Sequence, residues 1–244
     1  ELAEEIALEP ELEAEPEAAG PAPEIESPAM PEVAVMAAPE AEPPPPVAPR
    51  VDTEALLAEL LAEGQLSLPQ IDAIAFGCGP GAFTGLRVAC GVAQGLAVAA
   101  DLPVLPVVSL EAMAAASGAE SVLSLLDARM HEVYCAHYRR VAADDYQLLG
   151  DIHVLPPQAV GLPAGTGAAC GNALRAYPEL QQRIAQQGWV MQPDILPEAR
   201  WLAHLAVPRL RAGAGIDAAD AAPLYIRDKV AKTVAERLRE GGKA

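Results

Sequence analysis

The chain has 244 residues, of which 52% are apolar, 4% aromatic and 20% charged. This composition supports a sizeable core of Ala, Leu and Val, in one large domain or two small ones. The formal net charge is −18, and −12 of it falls in residues 1–50, where 13 acidic side chains accompany one base, Arg50. The sequence contains no Lys/Arg cluster, which argues against a chain that grips nucleic acid by itself.

Cysteine spacing and hydropathy further limit the classes of protein to which the chain can belong. The four cysteines are Cys78, Cys90, Cys135 and Cys170. No C-x-x-C pair is present, so a zinc site or a disulfide framework is disfavoured and reduced thiols in a cytosolic protein are expected. The chain opens on an acidic stretch that lacks the basic and apolar regions of a signal peptide. Two prolines and an aspartate interrupt the longest apolar run, 88–108, so we expect no membrane span.

Residues 1–50 are rich in Ala, Pro and Glu and hold 12 of the chain's 24 prolines. Such a segment has too little clustered apolar surface to offset the entropy lost on ordering. We therefore predict a disordered or polyproline-like acidic tail, and favour a solvated tether over a binding arm.

We expect the ordered part of the chain to begin with a helix that Asp52 or Thr53 caps and that ends at Gly64. Its apolar face consists of Leu56, Leu57, Leu60 and Leu61. The next predicted elements are a strand at 71–77, a helix at Phe83–Ala100, a strand at 103–108 and a helix at 110–117. This alternation predicts parallel strands joined by crossover helices.

The pattern changes after Gly118. Three predicted strands form an antiparallel meander, at 121–126, 132–139 and 146–154, and helices follow at 174–187, 198–211 and 228–240. We place a first lobe at 51–117 and a second lobe at 118–244.

The loop after the first strand holds Gly77, Gly79 and Gly81, with Pro80 between the last two. It is no Walker loop, because no Gly-Lys-Ser/Thr follows. It matches the weak dinucleotide pattern G-x-G-x-x-A, but Pro80 lacks the N–H that a pyrophosphate would use. A functional loop and a purely structural tight turn therefore both stay open.

The helix after this loop carries a stripe of small residues: Gly85, Ala89, Ala93 and Ala97, with Gly91 and Gly95 beside it. Small side chains at this spacing let a second helix approach closely. That helix could belong to the same chain or to another subunit.

Catalytic patterns are sparse. The four histidines, His131, His137, His153 and His204, form neither H-x-x-x-H nor H-E-x-x-H, which disfavours a metal hydrolase. Cys78 could be a nucleophile beside a helix N-terminus, which lowers a thiol pKa, or a small buried filler. Asp127 and Arg129 are expected to be a turn-stabilising carboxylate and a surface arginine.

Four motifs in order closely resemble the bacterial TsaB (YeaZ) family. They are GCGPGAFTGLRVACGVAQGLA (77–97), PVLPVVSLEA (103–112), LDARMHEVY (126–134) and PLYIRDKV (223–230). The resemblance covers roughly residues 50–235. It implies an α/β, actin/sugar-kinase/Hsp70-like fold of two lobes.

The resemblance also implies a function. Family members are non-catalytic subunits that pair with the catalytic subunit TsaD through helices of the first lobe. The complex, with a TsaE-like ATPase, places threonylcarbamoyl on the tRNA adenosine 3′ of the anticodon. This chain would bind no cofactor alone, since ATP or ADP and a metal would belong to the partner, and would meet tRNA only through the complex. A cytoplasmic protein without membrane contact is implied, and a homodimer is compatible with the same helix.

The site residues implied by the resemblance lie in the glycine loop and the helix after it. They are Gly79, Pro80, Gly81, Phe83, Thr84, Gly85, Arg87, Ala89 and Ala93. The glycines and the proline would shape the turn, while Thr84 and Arg87 would supply polar contacts. The alternative is an enzyme of the same fold, either nucleotide-dependent or a glycoprotease-like peptidase.

The chain departs from the family pattern at its start. The family begins with a strand carrying Leu-Asp-Thr-Ser and two further strands, whereas residues 1–49 contain no such strand. The first lobe is therefore expected to lack its first strands, which leaves a sheet edge open. We expect a misplaced start, a frame error or a truncated and fused product.

Overall fold

The structure is a computed structural model that describes residues 53–142 and 145–226. Three predictions lie outside the described residues: the disordered tail at 1–50, the charged helix at 228–240 and the end of the last motif beyond Ile226.

The first part of the described chain alternates helices and strands as predicted. Helix α1 spans Thr53–Glu63, strand β1 Ile74–Gly79, helix α2 Phe83–Ala100, strand β2 Val104–Val108 and helix α3 Ser109–Ser117. Strands β1 and β2 are parallel, with Ile74 opposite Val104, and α2 is the crossover between them. The predicted start of β1 is three residues early, because pairing with β2 begins only at Ile74 and residues 71–73 lie between the strand and a 3₁₀ turn at Leu68–Gln70.

The second part is a six-stranded sheet. Its strands are β3 Ser121–Arg129, β4 Glu132–Ala142, β5 Asp145–Leu148, β6 His153–Leu155, β7 Ala168–Cys170 and β8 Val190–Gln192. The order is β5-β4-β3-β7-β8, and β6 also pairs with β4. The β3–β4 pair is antiparallel, whereas β3, β7 and β8 are parallel.

The structure corrects two predicted elements. The single strand at 146–154 is two strands, β5 and β6, because Gly150 with φ +89° turns the chain between them. The single helix at 174–187 is α4 Ala173–Ala176 and α5 Pro178–Gln186. A residue before proline is kept out of the helical region, and Tyr177 accordingly has φ −129° and ψ 87°.

The last described α-helix, α6, spans Ala199–Arg211 and packs against α3, β1 and β2 at the main core. Leu110 and Met113 of α3 are fully buried there, and Leu205 of α6 is 1% exposed. By contrast, the apolar face of α1 stays largely in solvent, since Leu56 is 47% and Leu60 is 65% exposed.

Candidate functional site

A cleft of about 500 Å³ lies where the carboxyl ends of four strands meet. The segments that follow β1, β2 and β7 contribute Pro80, Ser109 and Asn172, and the end of β3 contributes Asp127 and Arg129. Parallel sheets hold ligands in crevices outside the carboxyl ends of their strands. We call this space the carboxyl-end cleft.

The glycine loop forms one wall of the cleft. Gly79 has φ +121°, and a Cβ there would lie 2.9 Å from the Leu224 carbonyl oxygen and 3.0 Å from Leu86 Cδ1. The position therefore requires glycine. Helix α2 starts directly after the loop, with Ala82 at its N-cap and no side-chain cap among the described residues. Its first N–H groups and the positive end of its dipole face this region.

The opposite wall is the β3–β4 hairpin. One carboxylate oxygen of Asp127 accepts hydrogen bonds from the Tyr177 hydroxyl at 2.8 Å and the Arg129 N–H at 3.0 Å. The other oxygen pairs with the Arg129 guanidinium at 3.3 Å. Asn172 Oδ1 accepts a hydrogen bond from the Asp127 N–H at 2.9 Å. Asp127 is thus a turn-stabilising carboxylate, as predicted.

The tip of this hairpin is conformationally unusual. Arg129, Met130 and His131 have φ of 62°, 52° and 58°, three successive residues in the left-handed region. Non-glycine residues seldom adopt the left-handed region, and the free-energy cost of this backbone strain is offset by contacts in the surrounding structure. Burial, together with the hydrogen bond to Asp127, raises the pKa of Tyr177 to about 12, so this tyrosine remains a donor at neutral pH.

Two aromatic rings at the cleft, those of Phe83 and Tyr225, contact a cation beside it. The Arg87 guanidinium lies 3.8 Å from the centroid of the Phe83 ring, a cation–π contact. Its Nε donates a hydrogen bond to the Tyr225 hydroxyl at 3.0 Å. The centroids of the Phe83 and Tyr225 rings are 5.8 Å apart. Arg87 therefore joins α2 to the last described residues of the chain.

The segment at 216–226 lies along one side of α2. Gln94 Nε2 donates to the carbonyl oxygens of Ala218 and Ala221, both at 3.1 Å. Cys90 Sγ donates to the Ala221 oxygen at 3.4 Å, and the Leu224 N–H bonds the Cys78 oxygen at 2.7 Å. This segment and β1 together cover the inner face of the helix.

Comparison with known proteins places the chain in a family. Residues 50–234 match the family model for TsaD, the tRNA N6-adenosine threonylcarbamoyltransferase. The tRNA threonylcarbamoyladenosine biosynthesis protein TsaB of Haemophilus influenzae is 36% identical over 189 residues, covering 72% of this chain and 78% of that protein. The chain belongs to the TsaB family.

Further relatives agree with this assignment. The Escherichia coli TsaB is 34% identical, covering 75% of this chain and 84% of that protein. A Pseudomonas aeruginosa crystal structure, described as similar to the peptidase YeaZ, has a TM-score of 0.66 at 38% identity and covers 74% of this chain and 87% of that one. These findings confirm the predicted actin/sugar-kinase/Hsp70-like fold class.

In this TsaB-family chain, α2 presents two different faces. Ala93 and Ala97, at 3% and 1% exposure, are buried with Phe76 and Val104 in the chain's own core. The predicted partner contact at Ala93 is therefore corrected, because its methyl group is covered from within the chain. Ala89 is half-buried at the border of the two faces.

The opposite face of α2 is exposed. We call it the outer face of α2; it consists of Gly85, Val88, Gly91, Gly95 and Val98. A methyl group added at Gly91 or Gly95 would meet nothing within 4 Å. Val88 and Val98, which the small-residue pattern did not select, are 58% and 74% exposed.

The structure contradicts a reactive Cys78. The residue is 6% exposed, and burial raises the pKa of its thiol to about 11. Desolvation of the thiolate is the largest effect on this pKa, so the thiol is protonated at neutral pH. In the described part of the chain, all four cysteines are free and buried.

Helix α2 is also the one described helix that is long and apolar enough, by length and composition alone, to cross a membrane. The core helices of globular proteins meet the same criterion. The inner face of α2 packs on β1, whereas most of the helix is exposed or half-buried.

Three residues at the cleft were not selected from the sequence. Ser109, Asn172 and Tyr225 are each far from the glycine loop in the chain and reach it only in the fold. Ser109 and Tyr225 do fall within the family-like motifs. Asn172, in contrast, follows β7, a three-residue strand that the sequence pattern did not predict.

Proposed function

We propose that this chain is a non-catalytic subunit that pairs with a TsaD-like catalytic subunit through the outer face of α2. The pair would carry out threonylcarbamoylation of the adenosine 3′ of the anticodon in tRNA. The support comes from relatives that bear the name of tRNA threonylcarbamoyladenosine biosynthesis and from an exposed helix face suited to close packing.

The outer face of α2 is the observation that carries the proposal. Gly91 and Gly95 lie one turn apart with open space above them, so a partner helix could approach to the short end of the usual 8–10 Å interaxial range. Val88 and Val98 flank the two glycines and supply apolar surface that is exposed to solvent. A contiguous exposed apolar strip of this kind is typical of a protein–protein contact.

The chemistry would be carried by the partner. ATP or ADP and a metal would be held by the TsaD-like subunit, a TsaE-like ATPase would join the complex, and tRNA would be bound through the complex in the cytoplasm. The charge of the chain fits this division, because 21 acidic and 15 basic side chains in residues 51–244 leave it with a charge of −6 and a poor surface for phosphates.

The test is reconstitution with the TsaD-like subunit of the same organism. We expect the two chains to co-elute in size-exclusion chromatography, and expect tRNA modification to need the partner and to be absent with this chain alone. Val88→Glu places a charge on the outer face and should abolish co-elution, because burying an unpaired carboxylate is costly.

Val141→Glu is the matched control, since Val141 is 53% exposed near the end of β4 and lies away from α2. It should co-elute as the parent chain does. Pairing that survives Val88→Glu would reject the outer face as the interface. Modification of tRNA by this chain without a partner would reject the non-catalytic role and favour the enzyme alternative.

A further inference from the structure

We propose that the open edge of β1 pairs with the same edge of a second copy of this chain, so that the two copies share one continuous sheet. The observation that carries the proposal is a strand with the sequence of a sheet interior in the position of a sheet edge. The proposal goes beyond pairing with a TsaD-like subunit, because it uses β1 and leaves the outer face of α2 free.

Strand β1 has one edge that is paired and one that is open. It pairs only with β2, in a two-stranded parallel sheet, among the residues that the structure describes. The Ile74 N–H bonds the Pro103 oxygen at 3.0 Å. Since the backbone groups of successive residues point to opposite edges of a strand, those of Ala73, Ala75 and Gly77 point away from β2. No described residue bonds them.

The sequence of β1 is typical of an interior strand. Residues 73–79 read AIAFGCG and contain neither a charge nor a proline. Such apolar runs are typical of parallel strands that are covered on both faces. One face of β1 packs with Cys90 and Ala93 of α2, and on the other face Leu202 of α6 lies 3.4 Å from the position of a Cβ at Gly77.

The open edge also lacks the features that prevent edge strands from pairing further. Natural edge strands carry a charge, a proline or a bulge for this purpose. In β1 the irregular register falls after Gly77, and Asp72 and Pro80 lie outside the run. The stretch from Ala73 to Gly77 is therefore free to accept another strand.

Helix α1 shows that more of this region is uncovered. None of residues 55–63 is buried, although the helix carries a leucine face on which Leu60 is 65% exposed. A helix of this length is only marginally stable without packing. It joins β1 through residues 64–73, so the uncovered apolar surface and the open edge are close in the chain. Both features indicate that another element completes this part of the molecule.

A second copy of the chain fits the open edge. Antiparallel pairing about a two-fold axis at Ala75 places Ala75 opposite Ala75 of the second copy, and Ala73 opposite its Gly77. In each such pair the two residues exchange N–H···O bonds, so every open group between Ala73 and Gly77 gains a partner. The contact is the same on both copies and therefore closes at a dimer. The resulting sheet, β2-β1-β1-β2, has a common number of strands.

Side chains and charges do not oppose this pairing. The residues that face each other carry a methyl group or a hydrogen atom. Asp72 would lie opposite Cys78 of the second copy, so the two Asp72 carboxylates would be six residues, or about 20 Å, apart along the strands. Like charges directly opposite each other, which destabilise strand pairs, are therefore avoided.

The test is sedimentation equilibrium of the full chain from about 1 to 200 μM, where we expect a dimer with Kd of about 10 μM or tighter. The mass should rise toward twice the 25.3 kDa of one chain. Ala75→Pro removes an N–H that β2 does not use and places a ring at the centre of the new pairing. Edge strands accept proline at such positions, and Kd should rise about tenfold or more.

Two control variants locate the contact. Met191→Pro is the matched control, because Met191 is the middle residue of the edge strand β8. The Val190 N–H bonds Gly167 on the β7 side, so the Met191 N–H also points outward. This variant should dimerise with the parent Kd. Val88→Glu, on the outer face of α2, should do so as well, which distinguishes the β1 dimer from association through α2.

Hydrogen exchange at single residues gives a second measurement on the parent chain, which decides the matter if Ala75→Pro does not fold. The Ala75 and Gly77 amides should exchange about tenfold or more slowly at 200 μM than at 1 μM, because they become bonded only in the dimer. The Phe76 amide, which points to β2, should be protected at both concentrations.

Four results would each overturn the proposal. They are a chain that stays monomeric at about 200 μM, a folded Ala75→Pro chain that dimerises with the parent Kd, loss of the dimer in Val88→Glu or Met191→Pro, and exchange at Ala75 and Gly77 that does not depend on concentration. None of these outcomes depends on whether the chain pairs with a TsaD-like subunit.

Discussion

Gly95→Leu separates the interface role of α2 from its role in the fold. Gly95 is in the interior of an 18-residue helix and is exposed, and a Cβ there would meet nothing within 4 Å. Leucine is the better helix former by about 0.8 kcal/mol. The isolated chain should therefore be more stable, with Tm higher by about 2–3 °C for a chain of this size.

The same leucine should weaken pairing. A partner helix packed closely over Gly95 would meet a side chain where there was none, and overpacking of this kind costs about 1–3 kcal/mol. That range corresponds to a Kd about 5–150-fold weaker. The measurements are calorimetric titration with the TsaD-like subunit for Kd and thermal melting of the isolated chain for Tm.

Two comparisons make the result decisive. Gly161→Leu is the matched control, because Gly161 also has open space around it and lies in a loop away from α2, and it should leave Kd unchanged. Ala93→Leu is the converse, because its site is 3% exposed; it should destabilise the isolated chain by about 1–3 kcal/mol. A Gly95→Leu chain that is stabilised and still pairs with the parent Kd would refute the reasoning.

The remaining predictions concern buried ionisable groups. Arg209→Met removes the ion-pair partner of Glu111, a carboxylate that is 6% exposed. This change should lower the free energy of unfolding by about 3–5 kcal/mol, whereas Glu111→Gln should lower it by only about 1–2 kcal/mol. Equal losses for the two variants in urea titrations would contradict this account. Burial raises the pKa of the Cys78 thiol from 9.0 to about 11 and likewise that of Cys135, so the native chain keeps protons that the unfolded chain releases. Stability should therefore fall between about pH 9 and pH 11, by up to about 2 kcal/mol for each thiol, and Cys78→Ala should lose less over that range; unfolding midpoints equal at pH 8 and pH 10.5 would exclude this linkage.

Elements with strong local signals were predicted well. The bounds of α2 agree with those expected from the sequence, because a long apolar run begins after the glycine loop and ends at Asp101, whose left-handed conformation caps the helix. The parallel pairing of β1 and β2 followed from the alternation of strand and helix. Strands β7 and β8 were missed because each has three residues, too few to show a period.

The candidate sites divide in the same way. The sequence by itself determined the family, the fold class and α2 as the helix of interest, because motifs, glycine turns and helical periodicity are properties of neighbouring residues. Only the tertiary structure decided that Ala93 faces inward while Gly95 faces outward, since the segment at 216–226 that helps cover the inner face is distant in the chain. It also brought Ser109 and Asn172 to one cleft. Such contacts arise where strand ends converge. The spacing of residues in the sequence does not show which strand ends converge, so these contacts could not be predicted from it.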